Sequence, residues 1–147
     1  MKNRSFLLPS AIDQPSVLVV EDKVDEQLIL HYILRQQLQG VLPVGATSGQ
    51  QALTYLRNCY THQHTLPGLI LLDLYLPRRD DGWKLLRKLR AHPTYHSIPV
   101  VIISASTDTN DQEQSYHWGA ALFITKPIRP QAWQEILRIL PHQMPIS

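Results

Sequence analysis

The sequence predicts a single α/β domain, a parallel β-sheet with helices packed on both faces. Three observations predict it. Short runs of Val, Ile and Leu without polar alternation recur at 17–20, 69–72 and 100–103. Such runs suit strands covered on both sides, as in a parallel sheet. Helical patterns fill the intervals, so strands and helices alternate along the chain. The third observation is bulk composition: 147 residues, 44% apolar and 18% charged, are enough for one core and too few for two.

Taken in order, residues 1–15 lack periodicity, carry Pro9 and Pro15, and are expected to be an N-terminal tail. After the first strand, Leu28, Ile29, Tyr32, Ile33 and Leu38 mark one apolar helix face between Asp25 and Gln39. A second strand is expected at 42–46, although Pro43 and Gly45 interrupt it. Ser48 is placed to N-cap a helix that buries Ala52, Leu53 and Leu56. Following the third strand, Trp83, Leu85, Leu86 and Leu89 form an apolar stripe, with Lys84, Arg87, Lys88 and Arg90 on the solvated side. The fourth strand precedes a mostly polar helix at 108–118. A weaker strand, Leu122-Phe123-Ile124, leads into the clearest helix, where Pro130 opens the first turn and Trp133, Ile136, Leu137 and Leu140 repeat at i, i+3, i+4, i+7. Pro141 ends it, leaving 141–147 as a C-terminal tail. Residues 16–140 are thus the domain, wound with right-handed crossovers.

Composition excludes several functions. The net charge of +2 is too small to argue nucleic-acid binding. Cys59 is the only cysteine, so neither an internal disulfide nor a Cys-rich zinc site can form, and a reducing cytoplasm fits. No apolar run nears the roughly 18 residues that span a bilayer. The start, with only Phe6-Leu7-Leu8 as an apolar stretch, does not match a signal peptide. His62 and His64 have no third ligand beside them and read as a solvated pair. The tryptophans Trp83, Trp118 and Trp133 read as core or interface anchors, and Cys59 as a buried or half-buried apolar residue.

Open α/β sheets bind ligands outside the carboxyl ends of their strands. The residues at those ends are Glu21 and Asp22, then Asp73, then Ser104 and Ala105, then Lys126 and Pro127. Each alone is an ordinary cap or turn residue. Together they bring three carboxylates, a hydroxyl and an ammonium to one sheet edge. Clustered carboxylates repel and raise one another's pKa values unless a cation lies among them, and a hard ion such as Mg²⁺ is the natural solution.

This constellation resembles the receiver domain of two-component response regulators. Pro77 stands four residues after Asp73, Asp81-Gly82 and Gly119-Ala120 occupy further family positions, and Phe123 holds the aromatic switch position three residues before Lys126. The resemblance covers about residues 16–140, nearly the whole chain. The loops at 60–66 and 92–98 further resemble small stand-alone receivers that serve bacterial phytochromes.

The resemblance implies a flavodoxin-like (βα)5 sheet in strand order 2-1-3-4-5. It implies a stand-alone, cytoplasmic regulator, without a DNA-binding domain, that takes a phosphoryl group from a sensor histidine kinase onto Asp73. Its only chemistry would be Mg²⁺-dependent self-phosphorylation and autodephosphorylation. Mg²⁺ would be held by Asp22, Asp73 and the Tyr75 carbonyl, with Glu21 reaching it through water. Lys126 and Ser104 would contact the phosphoryl oxygens. Lys126–Pro127 would be cis. Movement of Ser104 and Phe123 would then remodel the face of the fourth helix, fifth strand and fifth helix, with Tyr116, Trp118, Arg129 and Arg138 on it, where a partner or a second copy would bind. Three features depart from the family pattern, the first being that Phe123 lacks the hydroxyl of the commoner Tyr, so no output hydrogen bond from that ring is expected. One residue more than usual lies between Pro77 and Gly82, so a bulged loop is expected there. Tyr75 is bulky and is expected to screen the acyl phosphate from water.

Other functions fit less well. A haloacid-dehalogenase-type phosphatase needs an Asp two residues after the nucleophile, where this chain has Tyr75. A flavin carrier needs a phosphate loop where Glu21-Asp22 would repel the phosphate. An interaction module that keeps the fold without being phosphorylated remains the alternative.

Overall fold

The computed structural model describes residues 14–141. The expected tails therefore lie almost wholly outside the described residues. Ten elements alternate: β1 (Ser16–Val20), α1 (Val24–Gln37), β2 (Leu42–Ala46), α2 (Gly49–Thr61), β3 (Leu69–Asp73), α3 (Arg79–Ala91), β4 (Val100–Ser104), α4 (Thr109–His117), β5 (Leu122–Thr125) and α5 (Pro130–Ile139). All five strands run parallel in the order β2-β1-β3-β4-β5. The expected fold class and strand order are those observed.

Alternate residues of each strand serve opposite layers, which is why the strand runs carry no polar positions. Leu18, Val20, Ile70, Leu72, Val100 and Ile102 pack with Ala52, Leu56, Trp83, Leu86 and Leu89 of α2 and α3. Val17, Val19, Leu69, Leu71, Val101 and Ile103 pack with Leu30 and Leu34 of α1 and Trp133 and Ile136 of α5. Ser48 caps α2 as expected, its side chain accepting from the Gln51 amide at 3.1 Å. Cys59 is buried.

Three expectations need correction. The apolar face expected on α1 is split: Leu28, Ile29 and Tyr32 point outward, 67%, 58% and 66% exposed, whereas Leu38 is buried and Ile33 packs at the edge of the core. The inward face carries Gln27, Leu30 and Leu34. Apolar residues surround this helix, so their spacing does not select a face. Gln27 can turn inward because its Nε2 lies within hydrogen-bonding distance of the carbonyls of Val19, Glu21 and Ala46, at 3.0, 3.2 and 2.8 Å. It thereby ties α1 to the carboxyl ends of β1 and β2, beneath the acidic loop.

The second correction concerns Arg90, which does not belong to the solvated side of α3. Its guanidinium donates to the Ile98 carbonyl, and its stem lies against Gly119, whose φ of +106° and lack of a Cβ both suit a glycine. Third, the extra residue before Gly82 produces no bulge. Arg78 is the N-cap of α3, residues 79–81 form its first turn, and the Asp81 carboxylate accepts from the Arg78 amide at 3.2 Å. Gly82 is needed at this point, because a Cβ there would stand 2.0 Å from the Leu74 carbonyl oxygen. Any side chain would push α3 away from the loop that follows β3.

Candidate functional site

The carboxyl ends of β1, β3 and β4 and the loop after β5 surround a cavity of about 490 Å³. Asp22, Lys23, Glu26, Asp73, Tyr75, Pro77, Ala105, Ser106 and Lys126 line it. Each strand reaches the same edge because the register aligns Val20 with Leu72, Asp73 with Ile103, and Ser104 with Thr125. Asp73 is therefore the last residue of β3 and sits at the cavity floor, nearly buried. Its Oδ1 accepts from the Tyr75 amide at 3.3 Å.

The Lys126 ammonium gathers the acidic groups. It donates to Glu26 Oε1 at 2.5 Å, Glu21 Oε1 at 3.3 Å and Asp73 Oδ2 at 3.4 Å. The bond to Pro127 is cis, as the resemblance implies, and so is Leu76–Pro77. Burial disfavours the charged ammonium, but Glu26, Asp73 and Glu21 outweigh it and hold the Lys126 pKa above its ordinary value. Glu26 moves the other way, held below the usual carboxylate range chiefly by its hydrogen bond with Lys126.

Glu21 is fully buried. Burial first, then the hydrogen bond and charge of Asp73, push its pKa up to about 8, against the opposing pull of the Lys23 amide and Lys126. One ammonium thus does not neutralise this group. Glu21, Glu26 and Asp73 each offer a carboxylate oxygen within 4.8 Å of the others. The Asp22 Oδ1 is also buried and has no hydrogen-bond partner. Close-set carboxylate oxygens, with an orphaned buried acceptor on the residue that follows Glu21, fit a hard divalent cation, whose ligands are carboxylates, carbonyls and waters.

Of the residues singled out in the sequence, Asp22, Asp73, Tyr75 and Lys126 meet at the cavity, with Glu21 buried beside it. Ser104 lies below the lining, fully buried, and its Oγ accepts from the Ser106 amide at 3.1 Å. Phe123 is half-buried against the α2–α3 layer, and its amide donates to the Tyr116 hydroxyl at 3.1 Å. Trp118 also packs on that layer, half-buried under the Arg87 guanidinium, which fits a core or interface anchor. Glu26 was missed. It follows no strand, and only its position in the first turn of α1, just after Glu21-Asp22, could have pointed to it.

Comparison with known proteins decides the family. The family described as "Response regulator receiver domain" matches residues 17–138. The chain belongs to that family. Receiver domains are the switch components of two-component signal transduction. This receiver is 30% identical to the response regulator Rcp1 of Synechocystis sp. over 112 residues, 75% of each chain. It is 36% identical to the response regulator Rre1 of the same organism over 95 residues, 65% of this chain and 38% of that one. It spans less than half the length of the first curated relatives it matches. Among solved structures, the phosphorylated cyanobacterial phytochrome response regulator RcpA superposes with a TM-score of 0.70 at 30% identity, covering 86% of this chain and 91% of that one. A response regulator from Chloroflexus aurantiacus gives 0.72 at 26% identity, covering 86% and 98%. Among the described residues no helix is long and apolar enough to cross a membrane.

Proposed function

We propose that this receiver takes a phosphoryl group onto Asp73 from the phosphohistidine of a sensor kinase. The observation that carries the reading is Asp73 at the cavity floor with the Lys126 ammonium 3.4 Å from its Oδ2. In the transfer an Asp73 oxygen bonds to phosphorus as the N–P bond of the phosphohistidine breaks. Lys126 is poised to follow the incoming oxygens, exchanging contact with carboxylates for contact with a phosphoryl group. Ala105, small and on the lining, leaves room for that group. The Ser104 hydroxyl contributes by leaving the Ser106 amide and turning toward the phosphoryl oxygens. Phe123 then moves into the vacated space and alters the α4–β5–α5 face.

Asp22, Asp73 and the Tyr75 carbonyl would hold Mg²⁺, with Glu21 in its outer shell. Bound there, the ion offsets the charge that builds on the phosphoryl oxygens in an in-line transfer. A Mn²⁺-bound form of Rcp1 is known.

The kinase must bring its histidine against this cavity, so it covers the surface beside the mouth. That surface is the outward face of α1. Val24, Leu28 and Tyr32 are exposed along it, and Lys23 and Glu26 at its start line the cavity. An unpartnered apolar face in this position suits a protein partner. The likeness to RcpA, a phytochrome response regulator, supports a phytochrome-type kinase.

Incubation with acetyl phosphate and Mg²⁺, followed by intact-mass measurement, tests the reading. The expected result is a gain of one phosphoryl group that Asp73→Asn abolishes. No gain in the wild type would leave an interaction module that works without phosphorylation.

A further inference from the structure

One buried carboxylate takes no part in this chemistry. Asp111, in the first turn of α4, is fully buried and does not line the cavity. Its oxygens nevertheless reach the segment that follows Asp73. Oδ2 accepts from the Tyr75 hydroxyl at 2.9 Å, and Oδ1 from the Arg79 guanidinium at 3.0 Å. Burial pushes the Asp111 carboxyl up, but donors from Ser106, Tyr75 and Arg79 outweigh it and hold the group below its ordinary range. Asp111 is therefore an ionised acceptor at neutral pH.

The backbone bearing this acceptor is itself fixed. Ser115 Oγ donates to the Asp111 carbonyl at 2.7 Å and accepts from Trp83 Nε1 at 3.1 Å, tying α4 to α3. Arg79 lies over the Trp83 ring, 4.8 Å from its centroid. Beside Asp111, Ser106 is the other side chain that interacts with the Tyr75 hydroxyl, and Asp111 has the larger influence. Tyr75 is 38% exposed and forms part of the cavity wall, two residues after Asp73. A ring in that setting samples several rotamers unless its hydroxyl is anchored. Its anchor is a charged, buried and braced oxygen, the strongest kind of neutral-donor hydrogen bond.

We propose that Asp111 is a positioning residue that clamps the Tyr75 ring at the wall of the Asp73 cavity and so slows the access of water to the acyl phosphate. This rests on the reading that Asp73 is phosphorylated. The reaction slowed is hydrolysis: a water oxygen bonds to phosphorus, the Asp73 O–P bond breaks, and the carboxylate, inorganic phosphate and a proton are released. A bracing role for α4 alone would change stability but leave that rate and the pocket's accessibility untouched.

The test uses the full chain and the variants Tyr75→Phe, Asp111→Asn, Asp111→Ala, and Tyr75→Phe with Asp111→Ala. Each is phosphorylated with acetyl phosphate and Mg²⁺, desalted, and followed by mass for loss of the phosphoryl group. Tyr75→Phe and Asp111→Ala should lose it roughly three- to tenfold faster, the factor that one such hydrogen bond supplies. The double variant should be no faster than either single one. Asp111→Asn, which keeps an acceptor for the hydroxyl, should stay within about twofold of wild type. A second series needs no phosphorylation: with Asp73→Cys in each background, alkylation of that thiol by iodoacetamide should accelerate in the same order. If Asp111→Ala does not fold, Tyr75→Phe against Asp111→Asn decides the matter. Equal hydrolysis and equal alkylation across folded variants would overturn the clamp. No phosphoryl gain in the wild type would overturn the phosphorylation reading, with the alkylation series still deciding the clamp.

Discussion

Burial and Asp73 both oppose the charge of Glu21, and that opposition has a measurable sign. The folded pKa of Glu21 is about 8, well above the ordinary 4.5, because burial and Asp73 disfavour its charge. The folded state then holds a proton that the unfolded chain has released. The stability Glu21 contributes is complete below about pH 4.5 and is lost as pH rises through about 8. Urea midpoints taken in a chelator at pH 5, 7 and 9 should fall with pH in the wild type and fall less in Glu21→Gln. Mg²⁺ should shrink the wild-type decline, since a cation favours the ionised carboxylate. An equal decline in both proteins would remove Glu21 as its source. Asp73, Glu21, Asp22 and Lys126 were all legible in the sequence because each ends or follows a strand. Glu26 was not, because its role depends on Lys126 approaching from a loop 100 residues away.

Two helices show what periodicity can and cannot say. In α1 the outward positions are as apolar as the inward ones, so pattern alone mixes the two faces, grouping the exposed Leu28, Ile29 and Tyr32 with the buried Leu38. Gln27, a polar residue, faces inward because three carbonyls surround its Nε2, even though its buried Oε1 has no partner. The two faces should separate in mutation. Leu34→Ala removes a buried side chain and should cost about 2–5 kcal/mol, whereas Leu28→Ala should stay within about 0.5 kcal/mol. With a cognate kinase, Leu28→Ala and Tyr32→Ala should instead slow phosphotransfer while leaving acetyl phosphate labelling unchanged. Loss of acetyl phosphate labelling in both would show that the outward face acts through the cavity rather than through docking. Helix α4 is weak in pattern for the opposite reason. Its buried residues are Asp111 and Ser115, one turn apart, and hydrogen bonds to Tyr75, Arg79 and Trp83 replace the usual apolar contacts. A polar face satisfied by distant partners leaves no hydrophobic period to detect.

Across the whole molecule, Ser104 at the site edge and Phe123 occupy the neighbouring strands β4 and β5, and the proposed switch would run between them to the α4–β5–α5 face. Phosphorylation at one end can alter association at the other only by the partner's differential affinity for the two states. Couplings of this kind run about 1–3 kcal/mol, or roughly 5- to 150-fold. Sedimentation with and without a beryllofluoride mimic of the phosphoryl group should therefore show self-association changing within that range. Arg129→Glu or Arg138→Glu should blunt the change. Unchanged association in every case would move the output surface to the basic side of α3, where Lys84, Arg87 and Lys88 are exposed.

The sequence by itself determined the strands, their order along the chain, and the identity of most groups at their carboxyl ends. These are local properties: a strand buried on both faces must be apolar throughout, and the residue that ends it is read directly from the chain. The rotation of α1, the first turn of α3 in place of a bulge, the inclusion of Glu26 and the Asp111–Tyr75 contact were decided only by tertiary structure. Each depends on which residues far apart in sequence come within a few ångströms once the sheet is wound, and a buried polar side chain is stable only where such a partner waits.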